Sequence, residues 1–215
     1  MLEIENSIYE RGFKLIACID EVGRGCLAVN VTACAVIMPK GLQIEGVNDS
    51  KVLSRKNREA RFSEICKQAL YIGIGTASNK EIDLMNIKRA THMAMIRAVE
   101  NLSDKDGMRI KPDFLLIDAE KLPMDIQQMG IIKGDSKCHG IAAASIVAKV
   151  TRDKEMSKLH DTYPMYNFKN NAGYGTKEHI KALQKFGKCE LHRNTFLKKI
   201  LDNNEQIAIY GSLNE

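Results

Sequence analysis

The stretch F-K-L-I-A-C-I-D-E-V-G-R-G, residues 13–25, sets two adjacent carboxylates, Asp20 and Glu21, at the end of an apolar run. Residues 13–19 are rich in aliphatic side chains and predict a buried strand. Because neighbouring side chains of a strand point to opposite faces, Asp20 and Glu21 can share one site only if the strand bulges or ends at Glu21. The two glycines of G-R-G favour such an ending.

Two further apolar runs follow the first, and the three together predict an antiparallel meander because their connections are short. After the meander, the pattern predicts helices alternating with short buried strands, which is typical of parallel sheets. The predicted strands are residues 13–19, 29–38, 70–77, 114–117 and 130–132. The first predicted helix is capped by Ser54 and runs through Glu64 or beyond, and the others are residues 81–102, 142–148, 177–186 and 195–201. This order is that of the α/β ribonuclease-H-like superfold: a mixed sheet of three antiparallel and then parallel strands, flanked by helices, with a helical C-terminal extension.

Composition bounds the function classes. The 215 residues carry a net charge of +5, which permits a polyanionic partner such as nucleic acid without requiring one. The six cysteines form no C-x-x-C pair and no zinc-type Cys/His spacing, so a reducing cytosol is expected. The N-terminal residues lack the basic and apolar segments of a signal peptide, and no apolar run is long enough to span a bilayer. We therefore expect a soluble, cytoplasmic protein that binds no membrane.

Acidic residues follow the buried strands. Asp20 and Asp118 each end a run of buried-type residues, where an ionised carboxylate is costly unless a cation pairs with it. Asp135 follows the next apolar piece, and ligands of parallel sheets bind at the carboxyl ends of strands. With Glu21, these acids suit Mg²⁺ or Mn²⁺, and two such ions can hold a phosphodiester and activate water.

Several separated motifs together resemble the type 2 ribonuclease H family, ribonuclease HII. The motifs are D-E-V-G-R-G, N-D-S-K, L-L-I-D, K-G-D-S-K, A-A-A-S-I-V-A-K-V-T-R-D, and N-A-G-Y-G-T-K-E-H followed by H-R, spread over residues 14–196. The resemblance implies endonucleolytic, two-metal hydrolysis of RNA in RNA–DNA hybrids and cleavage 5′ of single ribonucleotides embedded in duplex DNA. The products would carry 5′-phosphate and 3′-hydroxyl ends, and the role would be ribonucleotide removal from DNA.

The resemblance also implies roles for single residues. It makes Asp20, Glu21, Asp118 and Asp135 the catalytic metal ligands. It makes Gly23, Arg24 and Gly25 the sensor of the ribose 2′-hydroxyl, Tyr174 the ring that packs on the sugar, and Lys51, Lys149 and Arg152 contacts to the substrate backbone. From the residues alone, Tyr174 is better interpreted as a turn aromatic, and Lys149 and Arg152 as an ordinary solvated helix face. His139, His179 and His192 lack ligand spacing, and we expect none of them in the metal site.

The chain departs from the family pattern at two places. Val29-Asn30 stands where the family usually has glycine-proline, and Ala119-Glu120 where it commonly has glycine-asparagine. The extra charge of Glu120 could raise metal affinity, shift the preference among cations, or point away from the metals.

Competing functions are a different two-metal nuclease of the same superfold, such as a junction resolvase, and a non-catalytic duplex-binding module. The first has no use for a 2′-hydroxyl sensor. The second has no use for four convergent acids beside a polyanion.

The chain is expected to divide into a catalytic domain, residues 1–160, a helical extension that carries the Tyr174 loop, 161–202, and a flexible tail, 203–215. Within that tail, Q-I-A-I-Y (Gln206 to Tyr210) resembles the short peptides by which bacterial replication proteins bind sliding clamps. A frayed end is the simpler explanation of these residues. A monomer is the default expectation.

Overall fold

The computed structural model describes residues 1–48, 50, 53–198 and 200. Five strands form one sheet in the order β3-β2-β1-β4-β5. They are β1 (Ile16–Val22), β2 (Val31–Ile37), β3 (Tyr71–Ala77), β4 (Phe114–Asp118) and β5 (Gln127–Ile131). β2 pairs antiparallel with both β1 and β3, whereas β4 pairs parallel with both β1 and β5. The predicted mixed sheet, antiparallel first and then parallel, is confirmed.

Helices cover both faces of this sheet. They are α1 (Glu3–Glu10), α2 (Arg55–Gln68), α3 (Asn79–Met85), α4 (Ile87–Glu100), α5 (Gly134–Lys137), α6 (His139–Thr162), α7 (Phe168–Asn171) and α8 (Lys177–Phe186), with a 3₁₀ turn at Pro164–Tyr166 and further helical residues at 194–198. The alanine-rich first half of α6 packs on one face, and α4 packs on the other. At Gly73 and Gly75 of β3, α4 lies so close that a Cβ would collide with its backbone carbonyl oxygens. Among the described residues, no helix is long and apolar enough to cross a membrane.

Several boundaries differ from the sequence prediction, two of them for identifiable reasons. The predicted helix 81–102 is two helices, because Asn86 has a φ of 72° and its side chain caps α4 by accepting from the Arg89 N–H. β1 starts only at Ile16, since the Asp113 carboxylate binds the N–H groups of Lys14 and Leu15 at 2.8 and 2.9 Å. α6 is far longer than the predicted 142–148, and α1 was not predicted.

The C-terminal part packs on the loop that follows β1. Tyr166, Phe168 and Leu183 form an apolar cluster with residues 27–29 of that loop and with Met156 of α6. Helix α8 has the predicted bounds, 177–186, and Thr176 caps it by accepting from the His179 N–H. α6 continues past residue 160 to Thr162, so the division of the chain near residue 160 stays a prediction. Residues 201–215, including the clamp-like segment, lie outside the described residues.

Candidate active site

Acidic side chains gather at the carboxyl ends of the two central parallel strands. Asp20 and Glu21 belong to the last part of β1, and Asp118 ends β4. Asp135 lies in α5, and the neighbouring Gly134 N–H donates to Asp118 Oδ1 at 2.7 Å. Asp20 and Asp135 are buried. The structure thus brings the four predicted acids to one edge of the sheet.

The way in which Asp20 and Glu21 reach this edge differs from the prediction. β1 neither bulges nor ends at Glu21, because its register with β2 is unbroken through Val22. Its ladder with β4 ends earlier, at the pair Ile19 and Ile117, so that β1 projects beyond β4. Asp20 and Glu21 therefore lie on opposite faces of a projecting strand, and both still interact electrostatically with Asp118.

The electrostatics of the edge favour a bound cation. Burial, and then the neighbouring Glu21 and Asp118, raise the pKa of Asp20, although hydrogen bonds from Ser145 and from its own strand oppose the shift. Burial also raises the pKa of Glu21, whose Oε2 is buried and has no hydrogen-bond partner among the described residues. In the same described part of the chain, no three ligand atoms of the four acids lie within 4.8 Å of one another. The four acids offer only oxygen atoms as ligands, and Glu21 Oε2 is buried without a partner in the described part of the chain. Such a ligand set fits hard divalent cations such as Mg²⁺ or Mn²⁺.

The G-R-G loop joins this edge to the predicted sugar-binding tyrosine. Arg24 Nη1 donates to Glu21 Oε1 at 3.3 Å. A Cβ placed on Gly25 would lie 3.8 Å from Cε1 of Tyr174, which means that the loop backbone lies against the ring. Tyr174 is 41% exposed.

Glu120 points toward Arg24 and His92. Its Oε1 accepts from Arg24 at 3.0 Å and its Oε2 accepts from His92 Nε2 at 2.9 Å. Partial burial opposes ionisation, but these two partners prevail and lower the pKa of Glu120. Glu120 therefore shares Arg24 with Glu21, and nothing in the sequence indicates its pairing with His92.

Arg152 does not lie where the sequence predicts. It is neither on a solvated face nor open to a substrate backbone, because its side chain is fully buried. Its guanidinium donates to the backbone oxygens of Ala172, at 2.7 Å, and of Ala28 and Asn30, each at 3.4 Å. Gly23 has a φ of 94°, and a Cβ there would lie 2.5 Å from Arg152 Nε. Arg152 thus positions the loops that carry the G-R-G motif and Tyr174.

A second buried arginine, Arg193, was missed as a functional residue. It donates to the backbone oxygens of Gly23, Arg24, Val29 and Asn30 at 2.8 to 3.0 Å. The only sequence signal is the H-R dipeptide, which by itself indicates no role. Two buried arginines, Arg152 on α6 and Arg193 after α8, therefore hold the G-R-G loop and the residues that follow it through their backbone oxygens.

The remaining predicted substrate contacts are only partly described. Lys149 lies on α6 one turn after Ser145, and its Nζ pairs with Asp153 Oδ1 at 2.7 Å. Its side chain keeps 22% of its surface exposed. Lys51 lies outside the described residues.

Two of the three histidines support the tyrosine loop. The Cys189 N–H donates to His192 Nδ1 at 3.0 Å, so that His192 Nε2 carries the proton and donates to His179 Nε2 at 3.1 Å. His179 Nδ1 then donates to the Tyr174 carbonyl oxygen at 2.9 Å. This chain of hydrogen bonds requires both rings to be neutral, and burial lowers both of their pKa values.

A mixed five-stranded sheet with acids at the carboxyl ends of its central strands defines a nuclease of the ribonuclease-H-like class. The profile of the Ribonuclease HII family matches residues 17–199. Ribonuclease HII of Alkaliphilus oremlandii is 51% identical over 200 residues, which are 93% of this chain and 98% of the relative. The chain belongs to the ribonuclease HII family, and it is a type 2 ribonuclease H.

Solved structures agree with this assignment. The ribonuclease H2 of Pyrococcus horikoshii OT3 has a TM-score of 0.71 and 25% identity, covering 88% of this chain and 98% of its own. A PCNA:RNase HII complex from Archaeoglobus fulgidus contains a chain of the same fold, with a TM-score of 0.68 and 22% identity over 84% of this chain and 94% of that one.

Proposed function

We propose that the enzyme hydrolyses RNA in RNA–DNA hybrids and also cuts 5′ of single ribonucleotides embedded in duplex DNA, leaving 5′-phosphate and 3′-hydroxyl ends. The observation that carries this proposal is the contact between Gly25 and the Tyr174 ring, next to the Arg24–Glu21 pair. A sugar stacked on Tyr174 would meet the N–H groups of the G-R-G loop beside the catalytic carboxylates. The 2′-hydroxyl is the group by which a protein distinguishes RNA from DNA.

The four carboxylates would hold two divalent cations. When bound, such ions lower the pKa of an attacking water and neutralise the departing 3′ oxygen. The chain itself holds these ligands in place: Ser145 and the backbone N–H of Glu21 orient Asp20, and the Gly134 N–H orients Asp118. No protein nucleophile is required.

Basic side chains would position the nucleic-acid backbone. Lys51 and Lys149 are the candidates, since lysines bind phosphates by charge and fix the register of a duplex. Lys149 would exchange its Asp153 partner for a phosphate. Arg152 is left out of this group because it is buried, and it acts through the loops that it holds.

The alternatives account for less of the site. A junction resolvase would use the acids but not a glycine loop packed on a tyrosine. A non-catalytic duplex-binding module would carry four acids beside a polyanion, which weakens binding unless cations bridge them.

The direct test is cleavage of a labelled duplex that carries one ribonucleotide, in Mg²⁺ and separately in Mn²⁺. An all-DNA duplex and an RNA–DNA hybrid serve as substrate controls. Asp118→Asn removes a proposed ligand, and Asp106→Asn, on an exposed loop, is the matched control. We expect a single cut 5′ of the ribonucleotide, reduced by at least about 100-fold in Asp118→Asn and unchanged in Asp106→Asn.

Cleavage of the hybrid alone would contradict the junction roles of Arg24 and Tyr174 while leaving the metal chemistry intact. No cleavage by folded protein in either metal would refute catalysis and favour the binding module.

Finer proposals concern the location, the oligomeric state, the domain division and a partner of the enzyme. We propose that it is a cytoplasmic monomer. We also propose that its chain divides into two parts near residue 160 and has a tail from residue 203. We also propose that Gln206 to Tyr210 binds a sliding clamp, a partner class present in the Archaeoglobus fulgidus complex. Deleting residues 203–215 should abolish retention on an immobilised bacterial clamp, and unchanged retention would end the idea.

A further inference from the structure

A second group of metal-ligand side chains lies where helix α1, the first half of β1 and the start of α6 meet. It consists of Glu5 on α1, Cys18 on β1, and Cys138 directly before α6. One ligand atom from each lies within 4.8 Å of the other two, and all three residues are buried. Nothing in the sequence indicates this group, because its members are far apart along the chain and have no zinc-type spacing.

Unpartnered polar atoms point to a ligand at this place. Glu5 Oε1 accepts from the Gly140 N–H at 3.0 Å, but Oε2 is buried and has no hydrogen-bond partner within the described part of the chain. His139 accepts from the Ile44 N–H at Nε2, which leaves its buried Nδ1 as an N–H donor that also lacks a partner there. A buried carboxylate oxygen without a partner costs several kcal/mol, so such atoms normally face a ligand or water.

The space beside these atoms fits one small molecule. A cavity of about 20 Å³ is lined by Glu5, Cys18, His139 and Gly140, together with Leu2, Tyr9, Ile16 and residues of the loop after β2. This volume holds about one water molecule.

We propose that Glu5, Cys18 and Cys138 bind a zinc-type divalent cation, with a water molecule in the cavity as the fourth ligand. Two thiolates and one carboxylate oxygen are a donor set that suits tetrahedral Zn²⁺ and disfavours Mg²⁺. The unpartnered Oε2 of Glu5 would be the oxygen ligand. The His139 Nδ1–H would donate to the bound water, so both unpartnered atoms gain a partner.

The charge of the proposed site is compatible with its burial. Two thiolates, one carboxylate and Zn²⁺ sum to a net charge of −1. Cys138 is the residue before the 24-residue helix α6, whose positive N-terminal end lies at the site. The Gly140 N–H already donates to Glu5 there. Metal binding would release the thiol protons, so it would strengthen as the pH rises.

Such an ion would be structural. It would connect α1 to β1 and to the start of α6. Its ligand Cys18 lies two residues before Asp20 on the strand, and its ligand Cys138 follows Asp135 by three residues in the chain. The site shares no residue with the carboxylate edge and differs from it in donor type.

The test uses Co²⁺ as a spectroscopic substitute for Zn²⁺, added to the full chain during refolding because the site is buried. Cobalt bound by thiolates absorbs by sulfur-to-metal charge transfer, whereas cobalt bound by the catalytic carboxylates does not. We expect this absorption at one equivalent, its displacement by Zn²⁺, and its loss in Cys18→Ala and Cys138→Ala. Cys34→Ala, which removes another buried thiol on β2, is the matched control and should keep it.

Zinc competition against a chromophoric chelator should show at least about 100-fold weaker binding for Cys138→Ala, since loss of an outer-shell partner alone costs 10–100-fold. Absence of the charge-transfer absorption in folded wild-type protein would overturn the proposal, as would its persistence in both cysteine variants. If those variants fail to fold, X-ray absorption on wild-type protein with one equivalent of Zn²⁺ decides. Two sulfur neighbours at about 2.3 Å support the site, and a shell of oxygen and nitrogen alone refutes it.

Discussion

Replacing Arg193 by methionine should displace the G-R-G loop and destabilise the whole protein. The fully buried guanidinium donates four hydrogen bonds, to the backbone oxygens of Gly23, Arg24, Val29 and Asn30. Burial lowers its pKa to about 10, so the group stays charged at neutral pH. Methionine keeps much of the length and volume but offers no donor.

The expected cost follows from the groups left behind. Each buried carbonyl that loses its donor costs about 1–3 kcal/mol. The carbonyls of Arg24 and Val29 lose their donor, whereas those of Gly23 and Asn30 keep a weaker one, the Cys26 N–H and Arg152 Nε, each at 3.4 Å. The gross cost therefore exceeds the roughly 2–6 kcal/mol of two carbonyls. Removing a desolvated charge returns several kcal/mol, and water entering the gap recovers part of the rest. We therefore expect the free energy of unfolding to fall by about 3–5 kcal/mol, the range for breaking one side of a buried charged network.

Urea unfolding of Arg193→Met measures this cost, and Arg55→Met is the control, since Arg55 makes an exposed helical ion pair with Glu59 worth at most about 1 kcal/mol. Cleavage of the single-ribonucleotide duplex, at a temperature where the variant is folded, should fall by about 100-fold, the typical effect of a misplacement near 1 Å. A stability loss below about 1 kcal/mol, or activity equal to that of Arg55→Met, would refute the idea that Arg193 holds the loop.

Two further predictions concern backbone strain and pH. Ala119 is exposed and has a φ of 50°, so Ala119→Gly should raise the free energy of unfolding by about 1 kcal/mol. Ala60→Gly, on the exposed face of α2, should instead lower the free energy of unfolding by about 1 kcal/mol. Chemical denaturation of both variants measures the two changes, and changes of equal sign would contradict backbone strain at Ala119. Burial and the neighbouring His179 lower the pKa of His192 from 6.5 to about 4, so between these values only the unfolded chain takes up the proton and stability falls as the pH drops. The free energy of unfolding should decline by up to about 1.4 kcal/mol per pH unit in this window. Urea unfolding at several pH values should show a smaller decline per pH unit for His192→Gln. An identical decline in both proteins would mean that His192 is not the group responsible.

The sheet was predictable from the sequence because its signals are local. Strand runs, the Ser54 cap and helix 177–186 depend on neighbouring residues, and the capping bond from the Asn57 N–H to Ser54 is present. The convergence of four acids also followed from the sequence, since each ends a buried strand or follows one. The break at Asn86 was missed, because an asparagine inside a helical pattern signals no interruption unless its left-handed φ is known.

The supporting residues of the site could not be predicted, because their environment is built by distant parts of the chain. On a helical pattern, Arg152 looks like a surface residue, and only the packing of loops 23–30 and 171–174 buries it. The same holds for Glu120, whose partners Arg24 and His92 come from other elements. Charge and spacing identify polar residues, but not whether water or a carbonyl group surrounds them.

Val29 and Ala119, the first residues of the two departures described in the sequence, both have positive φ angles, 70° and 50°. A non-glycine residue there costs about 1–2 kcal/mol, and a β-branched valine is especially disfavoured. At Val29 the conformation is held from both sides: its N–H donates to the Leu191 oxygen at 2.8 Å, and its oxygen accepts from Arg193 at 2.9 Å. Because these tertiary hydrogen bonds outweigh the local cost, the path of the G-R-G loop is imposed by the C-terminal segment beneath it. The loop can therefore keep its shape with a valine at position 29, provided that Arg193 is present.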